Sequence, residues 1–275
     1  MFYDTLKRVC MKKMPVVSFG ILIFVVLLSF FGGFVYQPSP YDMNANALLE
    51  APSLGHILGT DRLGRDLLAR IMKGGQVSLI IGFGSATIAS FVGLAIGISA
   101  GFFAKNTDKV IVVMIDLFLT FPTFFLLLAL ISYVNASALT LIIVISVTGW
   151  MGMARMIRSE SFAINAQPFI KVLKLSNVSR LKIIFKYFTP LLAPLFFISF
   201  TFGISGAILS ESGLSFLGIG VMPPDISWGS ILSEGKEVID VAWWISFFPG
   251  LMIFLVTLSL INISDYLQFL TNQKG

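Results

Sequence analysis

Apolar positions fall in six long blocks, Met14 to Tyr36, Val77 to Phe103, Val110 to Val134, Ala138 to Ile157, Phe188 to Leu209 and Trp243 to Ile263. Each approaches or exceeds the ~20 residues that an α-helix needs to cross the hydrocarbon core of a bilayer. Backbone groups in hydrocarbon must be satisfied within the segment, so these blocks are expected to be helices. The pattern predicts an all-α, polytopic membrane protein with about six transmembrane helices. Lys12 and Lys13 before the first block, with Ala45-Asn46-Ala47 beyond it, resemble parts of a signal peptide. The block is too long and the site too distant, so an uncleaved helix is expected.

Within these blocks, Gly93, Gly97 and Gly101 repeat every four residues and present a small-residue stripe for close helix packing. Pro122 removes a backbone donor inside the third block and predicts a bend there. The stretch from Arg155 to Lys186 is only half apolar, and basic. Pro168 suits the first turn of a helix, and Phe169, Val172 and Leu173 follow on one face, with Lys171 and Lys174 on the other. Asn177 can take the left-handed conformation that ends this helix, and Ser179 can cap the next. The result is a short amphipathic helix, suited either to a partner's groove or to an anionic lipid surface.

Composition confirms lipid as the solvent: 56% hydrophobic and 12% charged residues, with mean hydropathy +0.92, lie outside the soluble range. The net charge of +5 arises from short basic clusters beside apolar blocks, a topology signal and not a nucleic-acid footprint. Six spans with Lys7, Arg8, Lys12 and Lys13 inside leave only Arg62, Arg65, Arg70, Lys73 and Lys236 of the basic residues outside. Both termini and the 155–186 segment are thus expected in the cytoplasm. Most acids, among them Asp42, Asp61, Asp66, Glu234, Glu237 and Asp240, then lie outside.

Catalytic chemistry finds little support. His56 is the only histidine and Cys10 the only cysteine, which excludes a disulfide framework, a thiolate cluster and HExxH-type zinc sites. Gly229 to Glu237 superficially resembles a phosphate loop but lacks Ser or Thr after Lys236 and lies on the outer side. Two long outer segments, Gln37 to Gln76 and Ser210 to Ala242, carry the remaining polar groups. Asp61, Asp66, Arg62 and Arg65 are expected either to pair within the first of them or to dock a partner. Asp116 is the acid well inside a block, where pairing with a basic neighbour competes with a functional role.

Gly59-Thr60-Asp61-Arg62-Leu63-Gly64-Arg65-Asp66 resembles the GTDxLGRD motif of permeases of the DppC/OppC/NikC type, membrane subunits of dipeptide, oligopeptide and nickel ABC importers. Further matches run in order: Asp116 with Phe121-Pro122; Gly149-Trp150, Arg155 and Arg158; and Leu214-Ser215-Phe216-Leu217-Gly218. Pro223-Pro224, Ser227-Trp228-Gly229, Phe248-Pro249-Gly250, and Asn262 with Asp265 complete the set. The resemblance covers nearly the whole chain. It implies a type I ABC importer (MetI-like) permease fold, with residues 1–76 as tail, first helix and outer loop, and 77–270 as a core carrying a coupling segment at 158–187.

The resemblance further implies a pore shared with a homologous second permease subunit, two ATPase subunits and an external substrate-binding protein, in a bacterial inner membrane. ATP and magnesium would belong to the ATPase subunits, leaving this chain with no cofactor, metal or catalytic residue. Phe169, Lys171, Val172, Leu173, Lys174 and Asn177 would form the ATPase-coupling element. Asp116, Pro122 and Glu211 are pathway or gating candidates, with capping or interhelical contact the alternative for Glu211. Asp61, Arg65, Asp66 and Trp228 are candidates for a binding-protein dock or lid. The family's coupling loop reads Glu-Ala-Ala, three residues, then Gly; Lys171, Val172, Leu173 and Asn177 stand here, so the partner ATPase is expected to carry a compensating change. The competing class is an ATP-independent secondary transporter or channel, which usually carries internal repeats, and no duplication is evident here. Peptide and nickel or metal-chelate cargo are both compatible with the sequence.

Overall fold

In the computed structural model, residues 2–103, 105–134 and 136–272 are described, with side chains omitted for 2–14, 105 and 272. The charges of Lys7, Arg8, Lys12, Lys13, Lys105 and Lys274, used above for orientation, lie outside the described side chains, as does the thiol of Cys10. Long apolar helices form the frame: α1 (Phe2–Val35), α2 (Leu67–Phe103), α5 (Ala138–Ala166), α8 (Thr189–Phe216) and α10 (Trp244–Asn272). Five helical stretches are long and apolar enough to cross a membrane, and a bent pair makes a sixth. That pair is α3 (Lys105–Leu119) and α4 (Thr123–Ile131). Shorter pieces are α6 (Pro168–Leu175), α7 (Arg180–Ile183) with a π-helical turn at Ile184–Phe188, and α9 (Trp228–Lys236).

Several expected boundaries move, for identifiable reasons. The second span starts at Leu67, ten residues before Val77, because the Asp66 carboxylate accepts from the Ala69 N–H at 2.9 Å and so caps the helix. Its first turns bury Leu67, Ile71 and also Arg70, so a polar-looking segment is interior helix. The boundary expected between 76 and 77 therefore falls inside α2. At Pro122 the third span does more than bend: α3 and α4 meet at 80°. Pro122 sits in extended backbone at ψ 124° and opens α4 with its carbonyl, which accepts from the N–H groups of Phe125 and Leu126.

The α2–α5 contact is tight because of the glycine stripe. A Cβ at Gly93 would meet Met153 Cβ at 2.8 Å, and one at Gly97 would meet Ile157 Cβ at 2.7 Å. Gly101 repeats the arrangement against Ser161, and Asn165 Nδ2 donates to the Gly101 carbonyl at 2.9 Å. Separate buried clusters close the two ends of the bundle. One joins α1, α2, α8, α9 and α10 through Val25, Ile71, Ile208, Trp228 and Ile245; the other gathers Phe102, Ile157, Ile170, Ile183 and Phe188. Large apolar side chains such as Phe24, Phe83, Phe91 and Phe254 remain exposed on the outside of the bundle, as a lipid solvent permits.

Candidate functional site

At one end of the bundle, α6 begins with Pro168 in its first turn and ends at Asn177, whose φ of +55° is the left-handed conformation that asparagine tolerates. Ser179 Oγ then accepts from the Lys182 N–H and starts α7. The packed side of α6 differs from the expected one. Ile170 is completely buried among Ile164, Ile183 and Phe188, with Leu173 and Val178 against it. Phe169 (43% exposed) and Val172 (59%) face outward, joined by Leu175, Leu181 and Phe185. The apolar residues of α6 thus split between an anchoring side and a bare side. Of the two lysines, Lys171 is exposed, while Lys174 donates to Asn165 Oδ1 at 2.5 Å and lies over the Phe102 ring at 4.5 Å. Partial burial, and then the nearby Arg180 guanidinium, hold the Lys174 ammonium below its ordinary pKa.

Inside the bundle, α2, α4, α5 and α8 surround a cavity of about 490 Å³. Its polar lining consists of Ser85, Ser90, Thr123, Thr148, Ser199 and Ser210, together with Gln268 from α10. Thr123 reaches the cavity because the chain turns at Pro122. The three pathway candidates are therefore treated differently by the fold. Pro122 shapes the wall. Asp116 does not line it, and instead accepts from Arg155 Nη2 at 2.5 Å, linking α3 to α5. Asp108 and Arg158 make a second such link, through two bonds of 2.5 and 2.8 Å. Glu211, next to the lining Ser210, is fully buried and turned toward α2 and α9. It accepts from Ser78 at 3.1 Å, Ser215 at 2.7 Å and Ser212 at 3.4 Å. Those hydroxyls in turn accept from the backbone: Trp228 N–H donates to Ser78 at 3.1 Å and Val221 N–H to Ser215 at 3.1 Å.

The opposite end is closed by buried charge. Asp61 and Arg70 are each 1% exposed and form an ion pair. Arg65 Nε donates to Asp61 Oδ2 at 2.6 Å, and both guanidinium groups reach Glu234 on α9, at 2.9 Å from Arg65 and 2.8 Å from Arg70. Two acids and two bases thus tie the loop, α2 and α9 together with no net charge. Burial pushes the Asp61 carboxyl upward, but Arg70, the N–H groups of Arg65 and Leu63, and the Arg65 charge outweigh it and hold the pKa below its ordinary value. Arg62 pairs with Glu237 in an exposed position. Asp66 accepts from Tyr36 Oη at 2.7 Å and lies 2.9 Å from His56 Nδ1. Burial, followed by the bond to Asp66 and its charge, pushes the Tyr36 phenol up to about 12.

The Gly59–Asp66 motif has a structural explanation. Gly59 (φ +81°) leaves no room for a Cβ, which would meet the Glu50 carbonyl at 2.6 Å, and Gly64 (φ +69°) lies against the Asn44 backbone. Asp61 Oδ1 accepts from Leu63 and Arg65 N–H groups inside the turn. Trp228 is also interior: it is 0% exposed and its Nε1 donates to the Ile71 carbonyl at 2.9 Å. Asp61, Asp66 and Trp228 therefore hold the loop end together from within. Sequence reasoning missed Arg70 and Glu234, which complete the ion cluster from 164 residues apart, and Ile170, which anchors α6. The spacing of Asp66 and Arg70, one helical turn, was the available signal for Arg70; nothing local signals Glu234.

Helical spans, a short surface helix between α5 and α8 and a lined internal cavity define an integral membrane permease, not a soluble or β-structured protein. The chain belongs to the family described as binding-protein-dependent transport system inner membrane component, which it matches over residues 93–273. Residues 1–52 match the N-terminal transmembrane domain of oligopeptide transport permease C. It is thus an integral inner-membrane protein of the ABC permease type. A putative peptide transport system permease of Brucella suis is 32% identical over 96% of this chain and 89% of its own length. The oligopeptide permease OppC of Mycobacterium bovis is 33% identical over 84% and 81%, and the dipeptide permease DppC of Alkalihalophilus pseudofirmus 31% over 96% and 87%. In fold, the chain resembles an inward-facing structure of the MetNI methionine ABC transporter, with TM-score 0.57 and 15% identity over 72% of this chain and 95% of that one.

Proposed function

We propose that this chain is one of two permease subunits of an ATP-driven peptide importer, with the cavity between α2, α4, α5 and α8 as its half of the pathway. Force from ATPase subunits enters through α6. The observation that carries this reading is the division of α6: Ile170 seats it rigidly on the bundle, while Phe169, Val172 and Leu175 present bare apolar surface beside exposed Lys171. A lever needs both a firm root and a free gripping face. Such a helix fits an apolar groove on a partner. The basic bias of the 155–186 segment supports a cytoplasmic position for α6 and both termini, leaving the Asp61–Glu234 end outside, where a substrate-binding protein would dock. The relatives whose names state a cargo state peptides, and peptide is the cargo proposed here.

In this scheme ATP binding and hydrolysis occur in partner subunits and rock the two permeases between inward- and outward-facing states. Lys171, where the family pattern carries a carboxylate, then selects a partner surface of opposite charge. The test compares the two sides of α6 in the reconstituted complex. The double variant Phe169→Ser, Val172→Ser should lower peptide-stimulated ATP hydrolysis and uptake more than tenfold while leaving the thermal stability of the assembled permeases unchanged. Ile170→Ser should lower both activity and stability. Full uptake in the double variant, or uptake by the permeases without ATPase subunits, would end the proposal.

A further inference from the structure

The proposed pathway has a property that sets what can pass along it. Every polar group on the cavity wall is a hydroxyl or an amide: Ser85, Ser90, Thr123, Thr148, Ser199 and Gln268 among them, interleaved with Ala, Gly, Met and Phe. No carboxylate, ammonium, guanidinium or imidazole lines it. The nearby charges are withdrawn or cancelled. Glu211 adjoins the lining Ser210 yet is fully buried, held away from the cavity by Ser78, Ser212 and Ser215. Arg155, beside the lining Met156, is paired with Asp116 at 2.5 Å, and Asp108 cancels Arg158 one turn further.

A fixed charge in a partly dehydrated passage attracts cargo of opposite sign and repels cargo of like sign, and either effect slows transit. Hydroxyl groups avoid both penalties. A serine or threonine rotates to donate to a carboxylate or to accept from an ammonium, and it offers both functions to the amide backbone shared by all peptides. We propose that this chain contributes a charge-silent half-pathway that handles the peptide backbone and lets acidic, neutral and basic peptides pass at comparable rates, leaving charge selection to the binding protein. This inference rests on the peptide-permease reading above and adds the substrate breadth of that same cavity.

The single native cysteine makes a direct test practicable. In a Cys10→Ser background, Thr123→Cys and Ser199→Cys each place one thiol on the wall. The full complex in vesicles, supplied with saturating binding protein, is labelled with a neutral, an anionic (sulfonatoethyl) or a cationic (trimethylammonioethyl) thiosulfonate, and labelling is verified by intact mass. Uptake of a singly cationic, a neutral and a singly anionic tripeptide is then measured, each relative to its own rate before labelling, so that the binding protein's preferences cancel. The anionic adduct should slow the anionic tripeptide at least tenfold more than the neutral adduct does, and the cationic adduct should do the same to the cationic tripeptide. If all three adducts slow all three tripeptides equally, the cavity is the pathway but wall charge does not govern transit, and the inference is overturned. If complete labelling leaves every rate unchanged, the cavity is not the pathway, and the assignment in the preceding subsection falls with it.

Discussion

The two ends of the bundle solve opposite problems. At the loop end, Asp61, Arg65, Arg70 and Glu234 satisfy one another, and Trp228 fills the space beneath them, so the surface closes upon itself. At the α6 end only Ile170 is fully buried in the short helix, while Phe169, Val172 and Leu175 stay bare. Charged residues are interior at one end and apolar residues exterior at the other, the reverse of the usual distribution. The contrast separates a region that is complete within one chain from a region shaped to be completed by another.

The strongest way to break this contrast is to unbalance the ion cluster. Arg70→Ala leaves Asp61 and the inner oxygen of Glu234 without their main counter-charge, and removal of one partner from a buried pair costs about 3–5 kcal/mol. Thermal unfolding of the purified permease should show a loss of that size, whereas Arg62→Ala, at the exposed pair, should leave stability unchanged. An equal response at both positions would show that burial of the cluster contributes nothing.

Acid should loosen the same end more gently. The folded-state pKa of Asp61 lies below its ordinary value of 3.8, so the stabilisation it brings is fully present above 3.8 and is lost as pH falls through the folded value. Hydrogen exchange in residues 60–66 should therefore remain constant down to about pH 4 and accelerate below it, with α6 unaffected. Protection lost well above that pH would contradict the cluster as the source of order.

The smallest effect sharpens the description of the α6 end. Asn177→Val forces a β-branched residue into φ +55° and should cost about 1–2 kcal/mol of local stability, read as faster exchange in 168–178. Asn177→Gly, which suits that conformation, should be close to neutral. If valine is tolerated as well as glycine, the turn after α6 is not held by its left-handed residue.

The spans themselves were legible, because runs such as 77–103 and 138–157 have one physical solution in lipid. The ends of α6 were legible too, since Pro168 and Asn177 act through their own backbone preferences. Less accessible were the start of α2 and the break at Pro122. Arg70 and Lys73 make 67–76 look like a solvent-exposed loop, and only the contact with Glu234 and the capping by Asp66 make it interior helix. A proline signals a bend, but the 80° angle depends on how α4 packs against α5. Trp228 read as a surface lid residue, yet it is buried, because its partner carbonyl at Ile71 comes from 157 residues away.

What the amino-acid order determined by itself was local: helix length against bilayer thickness, close approach at Gly93, Gly97 and Gly101, and turn geometry at Gly59, Gly64 and Asn177. What only the tertiary structure decided was facing. Phe169, Ile170, Val172 and Leu173 are all apolar, so periodicity alone does not say that Ile170 points in and Phe169 out. Glu211 and Ser210 are adjacent, so composition does not say that the hydroxyl meets the cavity while the carboxylate turns away from it. In lipid the contrast between apolar and polar faces, which orients a helix in water, is weak. Orientation is then set by packing and by hydrogen-bond partners supplied from distant parts of the chain.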